Sequence, residues 1–397
     1  MTIGISGPVD LNLIACDLGT VDLPDTNGFP LVSHLVNALL KRGYKVIAYT
    51  NSGHIEEPVI LRGTNITVCI APTKPQPGRR FFRYEIQELA SLMQQHPADV
   101  IYAFWSYEYA WAALNSGIPS IVSIHDIARK IFFTQCDVFR FVRLLMNKVV
   151  TWKARHLVAN SSYTYNQLSA SLKEKSVIIN NFFTPDLEQK VNKPLRKENV
   201  IVSVTNGFNT RKGIPMALRA FARLRKDFPA LEYHLLGVDM EPGGLANTYA
   251  MQHGLEQGVT FIGPLGHDEL IQKVANAKVL LHPSVEESFG MAVLESMVVG
   301  TPVVGGNKSG FVPFLLDNGK AGVLCDVSSP DHIAAAVAKL LTDDAFATKT
   351  ADGAYRFVQD NFSEEVVIGQ HIKLYEAVRS LYRSEGKAAP VIEAKAY

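Results

Sequence analysis

Cysteine is scarce in this sequence: four residues, Cys16, Cys69, Cys136 and Cys325, lie far apart among 397 positions. No CxxC pair and no Cys/His ligand spacing occurs. That excludes a disulfide framework and a zinc site, and the four read as small buried hydrophobes in a reducing compartment. An excess of one charge is also missing. Lys plus Arg number 39 against 38 Asp plus Glu, a net +1, which argues against a nucleic-acid binder acting through its overall field. No apolar run reaches the roughly eighteen residues of a spanning helix. The opening stretch MTIGISGPVDLN lacks the basic and then apolar segments of a secretory signal, so a cytoplasmic protein is expected. Three nucleotide-handling signatures are absent as well. Neither Ile3–Pro8 nor Val200–Gly213 supplies GxGxxG, there is no GxxxxGK[ST], and no Asp-x-Asp triplet stands ready to hold a metal on a diphosphate. Accordingly, no cofactor and no metal ion are expected.

What is present is an α/β rhythm. With 47 % hydrophobic and 19 % charged residues the chain can bury a sizeable core, and its length suits two α/β domains. Strands are expected at Thr2–Ser6, Lys45–Thr50, Ile66–Ile70, Val100–Phe104, Ser120–Ile124, His156–Ala159 and Ser176–Ile179. Amphipathic helices lie between them, such as Leu31–Lys41, which stops at Gly43. The polar stretch Gln189–Asn199, with Pro194, reads as a linker. The rhythm then restarts at Val200–Thr205, followed by a helix at Ile214–Phe228. Further strands are expected at Glu232–Leu236, Val259–Ile262, Val279–His282, Pro302–Val304 and Gly322–Cys325. Such alternation implies parallel strands with crossover helices. The expected division is 1–193, 194–362, and a tail 363–397 whose helix Glu364–Tyr382 carries an apolar stripe and folds back onto the first domain.

The most informative segment is Leu280–Gly300, LLHPSVEESFGMAVLESMVVG. A buried strand ends at Pro283, and a loop carries Glu286 and Glu287. A helix is then expected to start near Ser288 or Phe289, with Ser288 as its cap. A helix start favours phosphate through its N–H groups and dipole. Glu287 and Glu295 would lie roughly 10–12 Å apart along this element. That span suits one carboxylate for each of two polar rings joined by a diphosphate. Taken singly, each glutamate reads as a solvated surface charge; the whole pattern does not.

Glu287-x-Phe289-Gly290-x(4)-Glu295 followed by Gly300-Thr301-Pro302-Val303-Val304 resembles the E-x7-E signature of the family-4 retaining glycosyltransferases of the GT-B fold. Lys212-Gly213, Gly237, Gly263-Pro264 and Pro283-Ser284 follow the same family's order, as do His125-Asp126, Ser161-Ser162 and Asn180-Asn181-Phe182 in the first half. The resemblance spans roughly residues 28 to 330. It implies two Rossmann-like doubly wound parallel-sheet domains facing across a cleft. The implied activity is retaining, metal-independent transfer of a hexose-type sugar from a nucleotide-sugar donor to an acceptor hydroxyl, in surface polysaccharide, lipopolysaccharide or glycolipid synthesis. Glu295 would bind the donor ribose and Glu287 the transferred sugar. Backbone N–H groups of Phe289, Gly290 and Met291 would hold sugar and phosphate, and Lys212 would stabilise the leaving diphosphate. Asn206, Gly207, Arg211, Gly237, Gly263, Pro264, Ser288 and Leu294 complete the implied donor site.

Two positions depart from that family's pattern. Asn206 stands where an arginine is usual, with Arg211 as its candidate substitute, and Phe314 stands where a glutamate is usual. A catalytically impaired relative therefore remains an alternative. In the first half, His125 ends a strand, where open α/β sheets bind ligands. It reads either as a structural hydrogen-bonder or as a contact to the transferred sugar. The loop Leu23–Pro30 brings Gly28 and Phe29, with Arg129 further on, to the expected acceptor side. The basic, aromatic stretch Arg129–Arg155 reads as an amphipathic helix packed on the first sheet. A second reading is an interfacial surface for anionic lipid that admits a lipid-linked sugar acceptor. A two-domain sugar-binding protein would lack the paired glutamates, and a glycosidase would set its carboxylates on opposite sides of the bond.

Overall fold

A computed structural model describes residues 1–20, 22–26, 28–191 and 197–384. The expected boundary at 193/194, part of the proposed linker, one position of the loop Leu23–Pro30 and the end of the tail lie outside these residues. The chain forms two compact units, Met1–Phe182 with Glu364–Tyr397, and Phe183–Ser363. The second begins and ends at neighbouring points, where Phe183 and Ser363 form a parallel bridge.

The first unit holds strands β1 (Thr2–Ser6), β2 (Lys45–Ser52), β3 (Val59–Gly63), β4 (Ile66–Pro72), β5 (Val100–Phe104), β6 (Ser120–Ile124), β7 (His156–Ala159) and β8 (Ser176–Ile178). Their order is β3-β4-β2-β1-β5-β6-β7-β8. All pairings are parallel except β3 with β4. The alternation reasoning missed β3, a short edge strand that returns by a tight turn and needs no crossover helix. Strands β5 and β6 are buried at every residue, as helices on both faces require. Helix Pro30–Lys41 begins with proline, whose fixed φ suits a first turn, and buries Leu31, Leu35, Val36 and Leu39.

Helix Glu364–Ser384 belongs to this unit. Val367, Ile368, Tyr375 and Val378 join the core of Ile3, Ile5, Val100 and Tyr102, and Arg42 pairs with Glu364 at 2.9 Å. The helix Val138–Lys153, capped by Asp137 at the Arg140 N–H, packs through Val142, Met146 and Val150. It leaves Phe139, Phe141, Leu145 and Trp152 exposed.

The second unit holds β9 (Glu198–Val204), β10 (Glu232–Leu236), β11 (Val259–Gly263), β12 (Ala277–His282), β13 (Val303–Gly306) and β14 (Val323–Cys325), ordered β11-β10-β9-β12-β13-β14 and all parallel. Helix Ile214–Asp227 buries Ile214, Ala217, Leu218, Phe221 and Leu224 at helical spacing. The four cysteines are free, but only Cys69 and Cys325 are buried. Cys136 is exposed and Cys16 half-buried, so the expectation of four buried cysteines is corrected.

Candidate functional site

In each sheet the chain winds outward in both directions from a pair of central strands, and the crevice beyond their carboxyl ends is where open α/β sheets bind ligands. In the second unit those strands are β9 and β12. The loop after β9 carries Asn206 and Gly207, whose partners come from the loop after β10. Val238 N–H donates to Asn206 Oδ1 (3.2 Å), Gly207 N–H donates to Val238 O (3.0 Å), and Gly237 N–H donates to Gly263 O (2.8 Å), which ends β11 beside Pro264. The backbone thus gathers Asn206, Gly207, Gly237 and Gly263.

A short 3-10 turn, Thr210–Lys212, is held by Asn209 and fastened to the loop after β12 by Val285 N–H donating to Arg211 O (2.8 Å). Gly213 is obligatory here. Its φ is +69°, and a Cβ would stand 2.0 Å from Pro283 O. This fastening brings Lys212 to Glu287, with Nζ 2.7 Å from Oε1 and only 13 % and 14 % of the side chains exposed. His282 Nε2 lies 3.6 Å from the same oxygen, beyond hydrogen-bond range, and pairs with it only when the imidazole carries a proton. Burial pushes the Glu287 carboxyl up, yet His282 and then Lys212 together hold it well below the usual carboxylate range. Phe311 N–H donates to Glu287 O (3.0 Å), locking the loop from behind.

The helix after Glu287 runs from Met291 to Val298 with Gly290 at its N-cap and no side-chain cap. The expected start at Ser288 or Phe289, and capping by Ser288, are therefore corrected. Gly290 at φ +101° makes the turn that a capping serine cannot make. Phe289 is buried and stacks on Phe311 at 5.2 Å. Phe314, 47 % exposed, stacks on Phe311 in turn. Leu294 is fully buried and its N–H donates to Gly290 O (3.1 Å). Glu295 pairs with His267 Nε2 at 3.1 Å, a hydrogen bond that raises the His267 pKa.

The residues missed by sequence reasoning are His267 and His282. His282 ends an apolar strand, and that placement was its available signal. Thr205 Oγ1, His282 Nε2, Ser284 Oγ and Ser309 Oγ are all buried without a hydrogen-bond partner among the described residues. They stand at or just beyond the carboxyl ends of β9, β12 and β13. Each such atom costs about 1–3 kcal/mol unless a ligand or water satisfies it.

In the first unit the central pair is β1 and β5. Gly28 and Phe29 line a cavity of about 560 Å³ there. Gly28 is demanded by the chain itself, since a Cβ would stand 2.4 Å from Asp10 Cβ. Arg129 is exposed, reaches the Phe133 ring at 5.8 Å and is not brought into that cavity. His125 at the end of β6 stacks on Phe104 at 5.0 Å and shares a 2.7 Å hydrogen bond with Ser123 Oγ. Burial lowers its pKa to about 3, so its imidazole is neutral at pH 7.

Comparison with known proteins matches this arrangement. Residues 31–187 match the family described as Glycosyltransferase Family 4, and residues 186–357 match Glycosyl transferases group 1. Glycogen synthase of Mycobacterium tuberculosis (strain ATCC 25618 / H37Rv) is 30 % identical over 182 residues, 46 % of this chain and 44 % of that protein. D-inositol 3-phosphate glycosyltransferase of Corynebacterium urealyticum is 30 % identical over 200 residues, 47 % of each. The chain thus spans about half the length of the curated relatives it matches. Among solved structures, sucrose-phosphate synthase from Thermosynechococcus elongatus superposes with a TM-score of 0.74 at 18 % identity, covering 96 % of this chain and 99 % of that one. A Family 4 region beside a group 1 region, carried on two parallel-sheet units, gives this chain the GT-B fold found in glycosyltransferases.

Proposed function

We propose that the chain transfers a hexose-type sugar, with retention, from a nucleotide-sugar donor to an acceptor hydroxyl. The observation that carries this reading is the Lys212–Glu287 pair set among buried, unpartnered polar atoms at the strand ends of the second unit. Breaking a glycosyl–phosphate bond builds negative charge on the departing diphosphate, and the fixed Lys212 ammonium stabilises it. Glu287, held ionised, accepts hydrogen bonds from hydroxyls of the transferred sugar. Glu295 does the same for the ribose once it exchanges His267 for the ligand. Neutral His125 acts through a hydrogen bond to the sugar and carries no charge. Retention follows from attack by the acceptor on the face the diphosphate leaves.

The diphosphate's charge is answered here by side chains. With Lys212 as the stabilising charge, transfer is proposed to proceed in EDTA. No described helix is long and apolar enough to cross a membrane. Exposed Phe133, Phe141 and Trp152 beside Arg140, Lys148 and Lys153 suit contact with an anionic lipid surface. Pathway membership in polysaccharide or glycolipid synthesis belongs to the same proposal.

The test is a thermal-shift screen with UDP, GDP and ADP. A nucleotide at 100 times its dissociation constant stabilises by about 2.7 kcal/mol. No stabilisation by any of the three, or turnover that EDTA abolishes and manganese restores, refutes the reading.

A further inference from the structure

His125 gives one of its two ring nitrogens to a chain of hydroxyls inside the first unit, and that chain decides what the other can do. Side chains alternate along a strand. The register of β5 and β6 pairs Tyr102 with Ile121 and Phe104 with Ser123, so these four side chains share one face of the sheet. His125, just past the end of β6, continues that face and stacks on Phe104. Helix Glu364–Ser384 covers it. His371 lies edge-on to the Tyr102 ring at 4.9 Å, and Tyr375 is tilted against it at 5.6 Å. Tyr102 is 2 % and Ser123 0 % exposed, so neither hydroxyl has water to turn to.

Each hydrogen on this chain has one place to go. The Tyr102 hydroxyl donates to Ser123 Oγ at 2.8 Å, its single acceptor among the described residues, and so uses the only hydrogen it has. Ser123 Oγ and His125 Nε2 are 2.7 Å apart. If Nε2 carried a proton and donated it, the Ser123 hydrogen would be buried without an acceptor, which is destabilising. If Ser123 donates instead, both hydroxyls are satisfied. Nε2 is then the acceptor and, in a neutral ring, Nδ1 carries the hydrogen. Burial lowers the pKa of His125, and likewise of His371, to about 3. The ring is therefore neutral at pH 7 and has one defined tautomer. His125 itself is half-buried. With one face against Phe104 and Nε2 taken, Nδ1–H is the group it can offer a ligand.

We propose that Ser123, oriented by Tyr102, is a positioning residue for the transfer reaction: it holds His125 as the Nδ1–H tautomer, so that the ring meets an oxygen of the transferred sugar as a hydrogen-bond donor and not as a general base. The proposal rests on the glycosyltransferase reading above, in which His125 contacts that sugar. A base must turn a bare nitrogen to its substrate, and here the bare nitrogen is turned inward to Ser123. Flipping the ring would break both the Ser123 bond and the fit against Phe104. A donor fixed in this way orients the sugar without bringing charge to it.

The experiment records nitrogen NMR spectra of the full chain carrying isotope-labelled histidine, with His125 assigned by its absence in His125→Asn. The wild-type ring is expected to show a protonated Nδ1 and a bare Nε2. Ser123→Ala should lose that preference, whereas a serine that merely fills space would leave the tautomer where it was. Tyr102→Phe still leaves Ser123 with Nε2 as its acceptor and should keep the tautomer. UDP-, GDP- and ADP-glucose are then added, each beside its parent nucleotide. The glucose ligand that binds should shift the Nδ1–H signal, and its nucleotide alone should not. Ser123→Ala should bind that ligand at least about threefold more weakly with nucleotide affinity unchanged. A protonated Nε2 in the wild type, a tautomer that Ser123→Ala leaves unaltered, or bound nucleotide-glucose that does not move the Nδ1–H signal overturns the proposal. Nucleotide binding keeps the two readings apart. If nucleotides bind and the tautomer is wrong, the positioning role alone fails; if none binds, the transferase reading fails and the role in transfer falls with it.

Discussion

Replacing Lys212 by methionine keeps the length of the side chain and removes its charge, which isolates what the ammonium does for Glu287. At the observed 2.7 Å separation, the direct attraction is about 6 kcal/mol at an effective dielectric of 20. Desolvation of two nearly buried charges offsets much of that. The variant leaves Glu287 with His282 at 3.6 Å as its remaining partner, and the expected loss of stability at pH 7 is about 2–4 kcal/mol. In a unit of this size that lowers Tm by roughly 5–15 °C. Glu287→Gln combined with Lys212→Met should lose less than the sum of the single changes, with a coupling of about 1–3 kcal/mol.

The pH dependence has a definite sign. Since the folded-state pKa of Glu287 is lowered, its ionised form contributes fully above the ordinary glutamate value of about 4.3. That contribution is lost as pH falls through the folded value. The gap between wild type and Lys212→Met should therefore hold while Glu287 is ionised in both folded proteins and shrink as pH falls through the variant's folded value, which lies above that of the wild type. His282 accounts for more of the lowering than Lys212, so the gap should not be the whole of the effect. Urea unfolding is the assay, and a gap that widens as pH falls, or a coupling near zero, refutes the reasoning. In turnover, the same variant should lose about a hundredfold or more in kcat with little change in donor KM.

Two further outcomes follow from named contacts. Glu295→Gln removes the acceptor that raises the His267 pKa. The stability this pair contributes is present below the ordinary histidine value of about 6.5 and fades as pH rises through the higher folded value. Wild type and variant should thus converge in Tm toward pH 9, and a constant gap would contradict the pairing. Ile368→Ala, in a fully buried position of the terminal helix, should cost about 2–5 kcal/mol. A change below about 0.5 kcal/mol in urea unfolding would mean that the helix is not part of the first unit's core.

Periodicity carried much of the architecture because burial imposes it. β1, β5, β6, β7 and β10 match their expected bounds residue for residue, each being a short apolar run closed by turn formers. Two elements escaped for opposite reasons. β3 pairs only at an edge and leaves Arg62 exposed, so its apolar signal is thin. Helix Asp344–Phe362 buries just Thr350, Ala354, Val358 and Phe362, a stripe of mixed and small residues that a hydrophobic count passes over.

Site residues divide along a different line. Lys212 and Glu287 stood out through their motif, but nothing in residue spacing announces that they meet. Their contact depends on Val285 donating to Arg211 O and on Gly213 passing under Pro283, both tertiary facts. His282 and Glu85 show the same limit from the other side. Each is a polar residue in an otherwise apolar or helical run, and a run of that kind tolerates either a fully bonded structural group or one held in reserve for a ligand. Only the partner inventory separates them. His371 is also a buried histidine, but its Nδ1 lies 3.3 Å from the Tyr375 hydroxyl and its ring packs edge-on against Tyr102, so it is used up within the core. His282 Nε2 and Glu85 Oε2 have no such bond. A chain that folds around unsatisfied polar atoms at the carboxyl ends of its central strands gives up stability there. On the proposed reading those atoms are the ones that ligand hydroxyls and phosphates would satisfy.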